Sequence, residues 1–250
     1  MHESTHHRHH YNGIVYSYEK ERQKKLTAYI LFLTGLLLFT FTLLGLTNGI
    51  SSWTDNFLLE TLGYTNKWSE KLGPDWFVRI VNDISALGGK VLLLIGVTLV
   101  VFYYKIRTEH KLLWKFLSVI AGAVIIMIVM KLIFADETPY EPIDLLISSI
   151  APFPSGHAML ALVFYLTLAV FLTRKQRREI VRIYTLTCAS IIIFLIGLSR
   201  IVGAVHTVTE VLAGWALGLM WVSLCWSAER YLEMKIKSSV NHIPMHNTSH

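Results

Sequence analysis

Apolar and polar residues fall in long blocks along this chain. Six apolar blocks stand out: about Leu26–Leu46, Ile84–Tyr104, Leu112–Phe134, Gly156–Leu172, Ile183–Leu198 and His206–Trp226. As a helix, each is long enough to cross the ~30 Å hydrocarbon core of a bilayer. The pattern predicts an all-α polytopic membrane protein with six transmembrane helices over 26–228, flanked by polar tails at 1–25 and 229–250. Composition agrees, with 53% hydrophobic and 16% charged residues, against about 25% charged in a typical soluble domain. Mean hydropathy is +0.48. The 250 residues leave no room for a second domain of ordinary size.

Charge then orients the spans. Lys20, Arg22, Lys24 and Lys25 precede the first, and Lys105, Arg107, Lys111 and Lys115 surround the link between the second and third. Arg174, Lys175, Arg177, Arg178 and Arg182 join the fourth to the fifth, and Arg230, Lys235 and Lys237 follow the sixth. The other side is acidic: Asp55, Glu60, Glu70, Asp75, Asp83, Asp136, Glu137, Glu141 and Asp144. The positive-inside rule predicts both termini in the cytoplasm and the acidic loops outside. The net charge of +6 is then a topology signal and no reason to infer a nucleic-acid partner. Cys188 and Cys225 lie within apolar blocks, which argues against a disulfide.

Two connecting regions stay open. The stretch 47–83, with Trp53, Trp68 and Trp76, reads either as an interfacial segment or as an outer loop with aromatic anchors. His6-His7-Arg8-His9-His10 reads either as a transition-metal binder or as a disordered, tag-like tail.

Of the 11 histidines, only His110, His157 and His206 lie outside the tails. An ionisable residue in a membrane span is costly and is by default a functional-site hypothesis. His157 sits in Pro154-Ser155-Gly156-His157, and His206 in Ser199-Arg200-x5-His206-x3-Glu210. On the predicted topology Lys131, Ser155, Gly156, His157, Ser199, Arg200 and His206 all come from helix ends at the outer surface. These residue types suit a phosphate. Gly156 lets backbone approach a ligand, and amides opening a helix favour an anion. Arg200 can grip two phosphate oxygens and Lys131 adds a point charge. Glu210, four residues after His206 and on the same helix face, can hold one imidazole nitrogen and leave the other for attack. His157 is the candidate general acid.

These segments resemble the type 2 phosphatidic acid phosphatase family, membrane relatives of the vanadium haloperoxidases. The family pattern is Lys-x6-Arg-Pro, Pro-Ser-Gly-His and Ser-Arg-x5-His-x3-Asp. Here the second part is complete, the third carries Glu210 in place of aspartate, and the first reads Lys131-x6-Thr138-Pro139. Ser85-Ala86-Leu87-Gly88-Gly89 is also similar to family members. The resemblance implies a metal-independent phosphatase without cofactor, working through a phosphohistidine at the cell membrane, with its site facing away from the cytoplasm. By it His206 is the nucleophile, His157 the acid, Glu210 the residue orienting His206, and Lys131, Ser155, Gly156 and Arg200 the phosphate cradle. Implied substrates are lipid phosphates such as undecaprenyl pyrophosphate, phosphatidylglycerol phosphate and phosphatidic acid.

The departures carry expectations of their own. The longer Glu210 side chain is expected to displace the imidazole by about 1 Å, a shift that can cost ~10²-fold in rate. Thr138 forgoes a charge-assisted contact of roughly 1.5–3 kcal/mol, and no lysine or arginine lies between Lys131 and Arg174 to replace it. The acids around Thr138 form either a solvated loop or one that receives a cationic headgroup or excludes highly charged phosphates. The alternatives are a weakened member that binds or presents a lipid headgroup, a phosphotransferase, and, less in keeping with charges gathered at one face, a transporter or channel. The bilayer and a lipid phosphate are the expected partners.

Overall fold

The computed structural model describes residues 3–47, 74–134, 153–203 and 205–241. Thr138 and its acidic neighbours, and Trp53 and Trp68, lie outside them. The described residues form helices and no strand. In chain order these are α1 (Glu3–Thr47), α2 (Asp75–Ala86), α3 (Lys90–Ile106), α4 (His110–Ile133), α5 (Gly156–Thr173), α6 (Glu179–Val202) and α7 (Val208–Asn241). Five stretches are long and apolar enough to cross a membrane: Lys25–Gly45, His110–Ile133, Gly156–Thr173, Glu179–Val202 and Val208–Lys235. The α2–α3 pair makes a sixth if it counts as one span, bent by 41°. The protein is thus an all-α polytopic membrane protein.

That bend differs from the expected second span, Ile84–Tyr104, which runs across it. The Leu87-Gly88-Gly89 turn separates the halves, and Gly89 caps α3 in an extended conformation with φ −70° and ψ 150°. Adjacent glycines cost a helix interior about 1 kcal/mol each relative to alanine, so the chain breaks there. At the termini, the polar stretch at 3–25 is helical and continuous with the first span, and α7 runs on to Asn241.

Packing centres on α5, the helix that Pro-Ser-Gly-His opens. It lies against α4, α6 and α7, while α1 runs along α7 and α2 along α6. One core cluster joins Leu93, Val100 and Tyr104 of α3 to Leu113 and Phe116 of α4 and Phe164 of α5. A second joins Ala123 and Met127 of α4, Met159 and Val163 of α5 and Leu217 of α7. Many large apolar residues face outward instead, among them Leu37, Val91, Leu94 and Ile180. That is the surface expected where hydrocarbon is the solvent.

The ends of the bundle carry different groups. At one, the Lys115 Nζ donates to Glu229 Oε1 at 2.6 Å, Arg174 pairs with the same carboxylate, and Lys175 Nζ donates to Glu109 Oε1 at 2.6 Å. The other end holds the histidine motifs.

Candidate active site

Local backbone chemistry places each side chain. Ser155, extended at φ −65° and ψ 109°, caps α5 by accepting from the Ala158 N–H at 3.5 Å. Phe153, two residues earlier, meets Phe134 edge-on, with ring centroids 4.7 Å apart. The Ser155 N–H donates to the Glu210 carbonyl at 2.9 Å, tying the start of α5 to the first turn of α7. Only glycine at 214 allows this approach, because a Cβ there would lie 2.5 Å from the Ser155 carbonyl oxygen. On the other side, a Cβ at Gly156 would meet Met127 Sδ at 2.9 Å and Lys131 Cε at 3.7 Å. Lys131, in the last turn of α4, is buried beside it.

At the α6–α7 junction the Arg200 carbonyl accepts from the N–H groups of Val205 and His206, both at 3.1 Å, so one tight turn fixes Arg200 and His206 together. His206 lies in this turn, ahead of the helix that begins at Val208. Its pairing with Glu210 is therefore made by a helix cap, where the sequence suggested two residues on one helical face. Thr207 and Glu210 form a reciprocal capping box. The Glu210 N–H donates to Thr207 Oγ1 at 3.3 Å, and the Thr207 N–H donates to Glu210 Oε2 at 3.1 Å. The same Oε2 lies 2.7 Å from His206 Nδ1, with both side chains buried. The lengthened carboxylate thus reaches the imidazole at ordinary hydrogen-bond distance. Glutamate is also the residue whose side chain can reach back to the capping N–H.

Arg200 is buried, and its Nη1 donates to Ser85 Oγ at 2.7 Å. Its Nε is buried with no hydrogen-bond partner among the described residues. An unsatisfied buried guanidinium N–H is costly, and an anion would relieve it. Ser199, by contrast, spends its hydroxyl on its own helix, donating to the Ile196 carbonyl at 2.7 Å. His157 is half-buried in the electrostatic field of Arg200, His206, Lys90 and Lys131. Lys131 interacts in turn with Lys90 and Glu210. The helix ends carrying Lys131, Ser155, Gly156, His157, Arg200, His206 and Glu210 therefore converge.

Ser85, Thr207 and Lys90 join this group without having been singled out for it. Ser85 lies in the Ser-Ala-Leu-Gly-Gly run, and Thr207-x-x-Glu210 is a recognisable capping signature. Lys90 carries no motif. Among the described residues no group of three or more His, Cys, Asp or Glu side chains is placed to hold a metal ion.

Fold and site together define a helical membrane protein with a buried, cationic, histidine-bearing cluster at one end, and residues 112–233 match the PAP2 superfamily. That stretch contains every site residue from Lys131 to Glu210; Ser85 and Lys90 precede it. The chain is 40% identical over 73 residues to phosphatidylglycerophosphatase B of Bacillus subtilis (strain 168), a match covering 27% of this chain and 34% of that relative. It spans, then, about a third of the relative's length. The structure is similar to the crystal structure of a transmembrane PAP2-type phosphatidylglycerolphosphate phosphatase from Bacillus subtilis. That likeness has a TM-score of 0.61 and 24% identity over 82% of this chain and 96% of the other, and it speaks for the fold.

Proposed function

We propose that this protein is an integral membrane lipid phosphatase that removes a terminal phosphoryl group from a lipid phosphate or pyrophosphate through a phosphohistidine. The observation that carries this is the buried His206–Glu210 pair, 2.7 Å apart, together with a buried Arg200 whose Nε has no partner among the described residues. With Nδ1–H donating to Glu210, Nε2 of His206 attacks phosphorus. The bond to the lipid oxygen breaks as His157 gives that oxygen a proton. Water, losing a proton to His157, then attacks phosphorus, the N–P bond breaks and inorganic phosphate leaves. Arg200, Lys131 and the amides opening α5 hold the phosphoryl oxygens throughout, and no metal takes part. The relatives' names put phosphatidylglycerol phosphate first, and the family resemblance of the motifs sets undecaprenyl pyrophosphate and phosphatidic acid beside it. Both termini lie in the cytoplasm and the site faces outward.

The test is phosphate release from these lipids by the purified protein in EDTA, wild type beside His206→Ala. We expect turnover in the first and none in the second; equal turnover in both overturns the mechanism. Thr138 supports a second reading, a member that holds a lipid headgroup with little turnover. Lipid binding without hydrolysis, with turnover gained in Thr138→Arg, would favour it.

A further inference from the structure

Lys90 stands at the first position of α3, and the turn just before it is packed against the helices that carry the site. The Leu87 carbonyl accepts from Tyr165 Oη of α5 at 3.0 Å. Gly88 is seated so closely that a Cβ would lie 2.6 Å from Ile196 Cγ2 and 3.5 Å from the His157 carbonyl oxygen. Ser85, at the end of α2, accepts from Arg200. The turn that launches Lys90 is thus held between the helix of the candidate acid and the helix of the cradle arginine.

We propose that Lys90 is a specificity-determining cation at the rim of this site, recognising the second phosphoryl group of lipids that carry two. The inference rests on the lipid phosphatase reading above. Lys131 and Arg200 are buried and belong to the phosphoryl group under attack, whereas Lys90 is exposed. The turn that carries it is packed against α5 and α6, which places Lys90 within electrostatic reach of His157 and Lys131. His157 faces the departing oxygen, so a cation beside it lies on the leaving-group side. In a pyrophosphate, or a glycerol bearing a monoester and a diester, that side carries another anionic phosphoryl. In a lipid with a single monoester the leaving group is an uncharged alcohol, which offers no second anion for Lys90 to recognise. Thr138 removes one arginine from the family pattern, which puts more of the recognition on the remaining cations. The competing reading, a lysine that only anchors the helix at the interface, predicts no such discrimination.

The experiment uses the full chain in detergent, with Lys90→Ala and Lys90→Arg beside wild type. Phosphate release is measured from phosphatidylglycerol phosphate and from phosphatidic acid. The ratio of kcat/KM for the first over the second should fall about five- to tenfold in Lys90→Ala, mainly through KM, as for a rim charge in partly screened surroundings. Lys90→Arg should restore it, and the difference should shrink at about 0.5 M salt, where the screening length drops to a few ångströms. An unchanged ratio overturns the proposal. If the wild type hydrolyses neither lipid, the functional reading fails, and binding decides this one. Thermal shifts with inorganic pyrophosphate and orthophosphate are then compared. Selective weakening of pyrophosphate in Lys90→Ala upholds the proposal, and equal or no weakening overturns it.

Discussion

At Glu210 one carboxylate oxygen accepts from both His206 Nδ1 and the Thr207 N–H, so the start of α7 and the orientation of the imidazole depend on the same atom. Glu210→Asp shortens the reach and cannot hold both partners in place. Glu210→Gln keeps the shape but removes the charge that stabilises an imidazolium, and should lower kcat by about 10²-fold or more. Thr207→Ala should cost about 1 kcal/mol by loss of the cap, read as a lowered Tm in detergent. Ser85 acts through Arg200 and is a positioning residue. Ser85→Ala strands Nη1 in a buried position and should reduce kcat/KM roughly tenfold, with Ser85→Thr recovering most of it. The residues of the two histidine motifs are legible in the chain because type and spacing coincide. Ser85 is legible only as part of the Ser-Ala-Leu-Gly-Gly run, because a tertiary contact across 115 positions is what brings it to Arg200, and Lys90 carries no motif at all.

Among the elements, α5 and α7 form the frame, joined by the Ser155–Glu210 backbone hydrogen bond and by the close pass at Gly214. Gly214→Ala places a methyl group against the Ser155 carbonyl and should destabilise the protein by about 1–3 kcal/mol. Activity should fall with it, because the separation moves both histidines' supports; the two effects are read by thermal unfolding and phosphate release. The long apolar blocks made the spanning helices easy to locate, since hydrophobicity over that length has few other outcomes. The break between α2 and α3 was less legible. Gly88-Gly89 marks the weak point, but the contacts with Ile196, His157 and Tyr165 that seat the turn there are ones that pattern alone does not display.

At the scale of the whole molecule, ion pairs tie together the end of the bundle opposite the histidine motifs. The basic residues that set the predicted orientation are also structural, since Lys115 and Arg174 share Glu229, and Lys175 holds Glu109. The Lys175 hydrogen bond keeps the Glu109 carboxyl below its ordinary value of 4.5. Because the folded value is the lower one, the stabilisation is present above that pH and is lost as pH falls through the folded value. The Tm difference between wild type and Glu109→Gln should therefore hold steady from neutrality down to about 4.5 and narrow below it. Orientation has a direct check. A cysteine placed at Arg177 in a Cys188→Ser/Cys225→Ser background should resist impermeant maleimide in intact cells and react after permeabilisation. Reaction before permeabilisation would invert the topology.

The capping box also bears on descent. A lineage that abandoned turnover could lose His206 or His157 at little cost to folding, but not Glu210 or Thr207, which hold the first turn of a 34-residue helix. Glu210 would then persist in descendants that bind lipid and hydrolyse nothing. Its presence in such a chain records how the helix begins; the paired histidines are the better sign that the chemistry survives.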